Sequence, residues 1–166
     1  MPRRPHVHVL AGLLVCAFAS TAVPARCGAE QAPPFVLKTL DGHALRLSEM
    51  RNRPIVLDFW ATWCAPCRAA MPHFNDLQAR YASKGLAIVG LSVDENGPAP
   101  VKRYAASAGV KFAIVMANDD VLDAYGPIRA IPTTIFINRK GEIVRRVVGL
   151  IDSETLDGYV QEIVQP

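Results

Sequence analysis

Ile55-Val56-Leu57-Asp58-Phe59-Trp60-Ala61-Thr62-Trp63-Cys64-Ala65-Pro66-Cys67-Arg68 is the stretch whose reading decides the fold. Its first half is a short apolar run rich in β-branched and aromatic residues, the pattern of a central strand covered on both faces. Beyond the two cysteines, Ala69, Ala70, Met71, Phe74, Leu77 and Tyr81 recur at spacings that give a helix one apolar face. Cys64 therefore stands where a strand hands over to a helix. The first N–H groups of a helix have no internal acceptor and its dipole favours negative charge there, so a thiolate is stabilised. A free cysteine of pKa ~8.5 is about 3% thiolate at pH 7, and a pKa of ~7 makes it about half thiolate. Falling nucleophilicity offsets much of that gain. Placement is the larger effect, because Cys67 follows one helical turn later, within reach of Cys64 for a disulfide.

Working outward, Phe35–Leu40 and Ala44–Leu47 read as two short strands around the Asp41-Gly42 turn, followed by a helical turn at 48–51. Downstream, the helix runs from about Cys64 to Ser83, with Pro72 removing one of its hydrogen bonds, and Gly85 ends it. Leu86–Val93 is a second buried strand. Strand, helix, strand in this order implies a right-handed crossover and parallel pairing. A loop at 94–100, a helix at 101–108, a strand at 112–115 and a helical turn at 120–125 come next. Thr133–Ile137 and Glu142–Val148 make a hairpin around Asn138–Gly141. Arg145 and Arg146 among its valines suit an edge strand with basic cover. Asp152 caps a last helix whose buried stripe is Leu156, Tyr159, Val160, Ile163 and Val164. The expected class is α/β, a central mixed sheet flanked by helices, with no internal repeat.

The 166 residues suffice for one domain with a substantial core; 51% are hydrophobic and 20% charged, as in ordinary globular chains. A formal charge of +3 gives no sign of nucleic-acid binding, and Arg3 and Arg4 supply two of those charges. These arginines, the apolar run Val9–Ala19 and the small residues Val23-Pro24-Ala25 form an export signal over residues 1–25; no acidic residue precedes Glu30. The alternative is an uncleaved membrane anchor, although the run is short of the ~20 residues that span a bilayer. Val15 before Cys16 is too large for a lipidation signal. Residues 26–34 read as a linker and 35–166 as the folded domain. Cys16 falls in the signal and Cys27 in the tail, which leaves Cys64 and Cys67 as the one adjacent pair of the folded part. A single pair points to chemistry rather than to a stapled scaffold.

These motifs resemble the thioredoxin superfamily, and within it the extracytoplasmic branch typified by the TlpA and ResA proteins. Phe59 to Cys67 carries the active-site signature, Met71-Pro72 matches the proline of the following helix, and Ile131-Pro132-Thr133-Thr134 matches the cis-proline loop. The resemblance covers roughly Phe35 to Val164. It implies a thioredoxin fold with an N-terminal β-hairpin and an inserted helix and strand between about Asp94 and Ala117. The activity it implies is thiol–disulfide exchange without a cofactor, in a chain expected to be a monomer.

Cys64 is then the nucleophile and Cys67 the resolving thiol. A carboxyl in an apolar strand is costly when charged, so the pKa of Asp58 is expected to be raised. The resemblance makes Asp58 the proton acceptor for Cys67. Trp63, Ala65, Pro66, Ile131 and Pro132 are the candidate substrate contacts, with Trp63 on the surface, Trp60 in the core and the Ile131–Pro132 bond cis. ResA-like proteins often have Glu where Ala70 stands and Asn where Asp58 stands, so the acid has changed place. No histidine lies between the cysteines, which leans towards a reductant. The implied partners are disulfide-bearing exported proteins, apocytochrome c among them, and a membrane thiol-electron transporter.

Two other classes compete. A thiol-based metal module that loads copper centres would need His73 or Cys27 as further ligands, and neither has good spacing. A peroxidase on a related fold would need a Pro-x-x-x-Thr-x-x-Cys pattern, which Cys64 does not carry.

Overall fold

In the computed structural model of the chain, which describes Met1 and residues 29–165, a five-stranded sheet has strand β3 (Ile55–Trp60) at its centre. All six residues of β3 are buried. The expected export signal, Cys16 and Cys27 lie outside the described residues. Strand β4 (Ala87–Ser92) pairs parallel to β3, and β5 (Ala113–Met116) pairs parallel to β4. On the other side β6 (Thr133–Ile137) runs antiparallel to β3, and β7 (Ile143–Val148) antiparallel to β6. The sheet is mixed as expected, in the order β5-β4-β3-β6-β7.

Helix α1 (Ala65–Arg80) makes the crossover from β3 to β4. It contains Pro72, so the Arg68 carbonyl lacks its helical donor. Gly85 ends the following 3₁₀ turn (Ala82–Lys84) with φ of 77°, the left-handed conformation a side chain would strain. Helix α4 (Ser153–Val164) is capped by Asp152, whose carboxylate accepts the Thr155 N–H at 2.9 Å. Val56 of β3 packs between α1 and α4, against Phe74, Leu77, Leu156 and Val160. The opposite face of β3, Ile55, Leu57 and Phe59, is covered by the N-terminal hairpin β1 (Val36–Lys38) and β2 (Ala44–Arg46), and by α3 (Asp119–Ala124). Tyr125 anchors that layer: its ring packs on Phe35 and Phe59, and its hydroxyl donates to the Pro33 carbonyl at 2.8 Å.

The inserted segment is helix α2 (Pro98–Ser107) followed by β5. The helix begins at Pro98, three residues before the expected Val101. Pro98 and Pro100 occupy its first turn, where backbone N–H groups have no helical acceptor and a missing donor costs little. Gly90 lets the Trp60 ring lie across β4; a Cβ there would meet Trp60 Nε1 at 2.9 Å.

β7 is the edge strand, and its two arginines are half-buried and paired. Arg145 donates to Glu162 at 2.9 Å and lies 4.2 Å over the Tyr159 ring, while Arg146 binds Glu30 and the Tyr125 carbonyl. Glu30 and Ala32 run along the β6–β7 turn through Ile143 N–H to Glu30 O at 2.7 Å and Ala32 N–H to Gly141 O at 2.8 Å.

Candidate active site

Strand β3 delivers the chain to the top of the sheet, and Cys64 becomes the N-cap residue of α1. Its Sγ accepts the Cys67 N–H at 3.2 Å, so one of the orphan donors of the helix start points at the sulfur. That is the arrangement that stabilises a thiolate. Cys64 and Cys67 are joined by a disulfide, their Cα atoms 5.3 Å apart. Cys67 is fully buried and Cys64 only 5% exposed, so Cys64 is the more accessible of the pair. Ala65 and Pro66, between them, are exposed.

Asp58 sits on the face of β3 that looks towards α1, between Val56 and Trp60 in the strand's alternation. Its carboxyl is fully buried. Oδ1 accepts the Thr134 hydroxyl at 3.2 Å, and Oδ2 has no partner among the described residues. Burial pushes its pKa up to about 7, against a smaller lowering by the Thr134 hydrogen bond. A small crevice runs from Asp58 past Ala70, Pro132 and Thr134 to Leu150. Ala70 is the helix position where the resemblance leads one to expect Glu. The strand acid and the helix position thus open on the same crevice, and a carboxyl on either can serve the same neighbourhood.

Ile131–Pro132 is cis, as expected. Ile131 packs against the cluster that holds Cys64, Cys67, Trp60 and Met71. Its backbone N–H and C=O have no hydrogen-bond partner among the described residues. The loop is held from below: the Thr133 hydroxyl donates to Ala130 O at 2.7 Å, and Gly149 N–H donates to Pro132 O at 2.8 Å. Trp63 is 68% exposed beside Cys64, whereas Trp60 is completely buried. Every candidate site residue therefore falls at this one end of β3.

Sequence reasoning missed Asp94. This carboxylate, just beyond β4, accepts the Thr62 N–H at 2.9 Å, the Thr62 hydroxyl at 2.5 Å and the Ser92 hydroxyl at 2.8 Å. It clamps the segment two residues before Cys64 to the neighbouring strand. In sequence it looks like any loop acid after a strand. Its one signal is that Thr62 and Ser92 are hydroxyl residues at the ends of two strands read as adjacent.

His43 and His73 are both exposed, and no three His, Cys, Asp or Glu side chains gather in a metal-binding group among the described residues.

Residues 29–146 match the AhpC/TSA family. The chain belongs to that family. Among its curated relatives, the thiol-disulfide oxidoreductase ResA of Halalkalibacterium halodurans is 38% identical over 143 residues, 86% of this chain and 79% of that one. The ResA of Geobacillus kaustophilus is 37% identical over 133 residues, 80% of this chain and 75% of that one. Among solved structures, a putative thiol:disulfide interchange protein DsbE from Chlorobium tepidum superposes with a TM-score of 0.77 at 28% identity, covering 82% of this chain and 97% of that one. The thioredoxin fold, the N-terminal hairpin and the cysteine pair of this AhpC/TSA member agree with those likenesses.

Proposed function

We propose that this chain is an extracytoplasmic thiol–disulfide oxidoreductase that works as a reductase of protein disulfides. The observation that carries the reading is the sulfur of Cys64 at the start of α1, with the Cys67 N–H on it, and, on the face of β3 towards α1, the buried Asp58 carboxyl whose Oδ2 has no partner among the described residues. In the reduced form the Cys64 thiolate attacks one sulfur of a substrate disulfide, which creates a mixed disulfide and expels the first substrate thiolate. Cys67 then gives its proton to Asp58 and attacks Cys64 Sγ. The Cys64–Cys67 bond forms, the mixed disulfide breaks, and the second substrate sulfur leaves carrying the electron pair and takes up a proton. Two electrons have passed to the substrate.

Trp63, Ala65, Pro66, Pro132 and the free backbone of Ile131 form the docking surface. An extended substrate segment can add its main chain at Ile131, as strands add to an open edge. The disulfide form seen here is the product of that cycle, so a working reductase needs a dithiol donor; a membrane thiol-electron transporter fits. Cysteines of exported proteins, including those of apocytochrome c, are the substrates this placement suits, and a monomer suffices for it. The leading 25 residues act as the export signal or anchor, with the folded domain after them.

Purified protein should accelerate the reduction of insulin disulfides by dithiothreitol, and Cys64→Ser should fall to the uncatalysed rate; equal rates for both would sink the reading. Cys67→Ser should accumulate mixed disulfides through Cys64. Equilibration with glutathione should place the pair nearer ~−270 mV than ~−120 mV.

A further inference from the structure

The end of the sheet opposite the cysteines carries a cleft of about 430 Å³. Its floor is apolar: Leu47 and the paired residues Ile55 and Ile137, where β3 starts and β6 stops. Its rim is cationic, made by Arg51, Arg53, Arg139 and Lys140. None of these four, nor the adjacent Lys84, belongs to any of the six ion pairs among the described residues. The acids nearby in sequence are turned to other partners: Glu49 to Arg46, Glu142 to Asn138 and Glu30 to Arg146.

Two of the cations are also fixed in place. Arg53 Nε donates to Gly85 O at 3.0 Å, and Arg139 donates to Asn52 O at 3.1 Å and Lys84 O at 2.6 Å. Carbonyl acceptors orient a guanidinium without neutralising its formal charge. A cationic rim over an apolar floor has the shape of a site for an anionic amphiphile.

The continuous described segment, from residue 29, starts at the same end. Gln31 and Ala32 line the cleft, and Glu30 is tied to Ile143 at its edge. Residues 1–28, which contain the apolar run Val9–Ala19, are therefore joined to the domain here. Charge and chain path single out the same surface.

We infer that this cleft docks on the headgroups of anionic phospholipid at a bilayer surface, holding the domain with Cys64 at the end facing away. Six strand residues separate the two ends, about 20 Å. A basic residue near an anionic leaflet contributes roughly a fivefold gain in binding, so reversing two of them should be plain to see.

The test compares the full chain with Arg51→Glu/Lys140→Glu on vesicles of phosphatidylcholine alone and of phosphatidylcholine with phosphatidylglycerol. Both substituted side chains are exposed and in no ion pair among the described residues, and both are remote from the cysteines. A wild-type circular-dichroism spectrum and urea midpoint show that the variant is folded. Any contribution of the leading apolar run is common to both proteins and both vesicles. The expected result is that wild type prefers the anionic vesicles by about tenfold or more, and that the double variant and high salt each remove the preference. An equal partition of wild type between the two vesicles would overturn the inference, as would a variant that keeps the preference. Release from anionic vesicles by inorganic phosphate at constant ionic strength would overturn it too, by showing that the cleft takes a free anion. None of these outcomes depends on the redox reading.

Discussion

Two carboxyl groups are buried near the top of the sheet, and they are treated in opposite ways. Asp94 accepts three hydrogen bonds, two from Thr62 and one from Ser92. Asp58 accepts one, from Thr134, and leaves Oδ2 bare. A carboxyl fully supplied with donors is held in place as a clamp. One that is desolvated and half supplied has its proton affinity raised, and its pKa moves to about 7. The first arrangement suits positioning, and the second suits a group that must take and return a proton near neutral pH.

The contrast can be broken most forcefully at the clamp. Asp94→Ala leaves the Thr62 N–H and two hydroxyls without their acceptor, so roughly 3–5 kcal/mol of stability should be lost. Urea unfolding of the oxidised protein checks this; a loss under about 1 kcal/mol would make Asp94 a spectator.

Asp58 should respond with the other sign. Well below pH 3.8 its carboxyl is protonated in both states. Between the unfolded value of 3.8 and the folded value of about 7 the unfolded chain has released a proton that the folded chain keeps, so stability falls as pH rises through that window. Above it the full penalty applies, on the order of 4 kcal/mol. Asp58→Asn should thus stabilise the oxidised protein by about 2–3 kcal/mol above pH 7, the buried amide retaining part of the cost, and by little near pH 4. Unfolding midpoints at the two pH values would show it; a pH-independent effect would not fit.

The framework of the fold was legible because its elements are self-contained. β3 is one unbroken apolar run, α1 has one apolar face, and Asp152 announces α4. The cysteines and Asp58 were legible because each is an anomaly in its place, thiols at a helix start and an acid in a core strand; the cis Ile131–Pro132 loop was legible only through the family resemblance. Asp94 was not, because its role depends on hydroxyls from two other segments. The start of α2 was missed because prolines read as loop unless they fall in a first turn. The basic cleft draws its cations from segments far apart, Arg51 and Arg53 before β3 and Arg139 and Lys140 after β6, and no local pattern joins them.

A smaller effect sharpens the comparison further. Since Ala70 and Asp58 line one crevice, Ala70→Glu placed on Asp58→Asn should return a carboxyl to the same neighbourhood. About tenfold of the lost rate of disulfide closure should be recovered in single-turnover measurements, within the range that general bases supply. No recovery would mean that the strand position itself is required.

The central claim is that Asp58 takes the proton of Cys67. The direct measurement is the pH dependence of closure, the attack of Cys67 on a mixed disulfide at Cys64, followed by rapid quench in wild type and in Asp58→Asn. The wild-type rate should rise with pH through about 7, where the carboxyl ionises. In Asp58→Asn it should be about a hundredfold slower at pH 7 and rise only towards the ~8.5 of an unassisted thiol. Superimposable profiles for the two proteins would contradict the account.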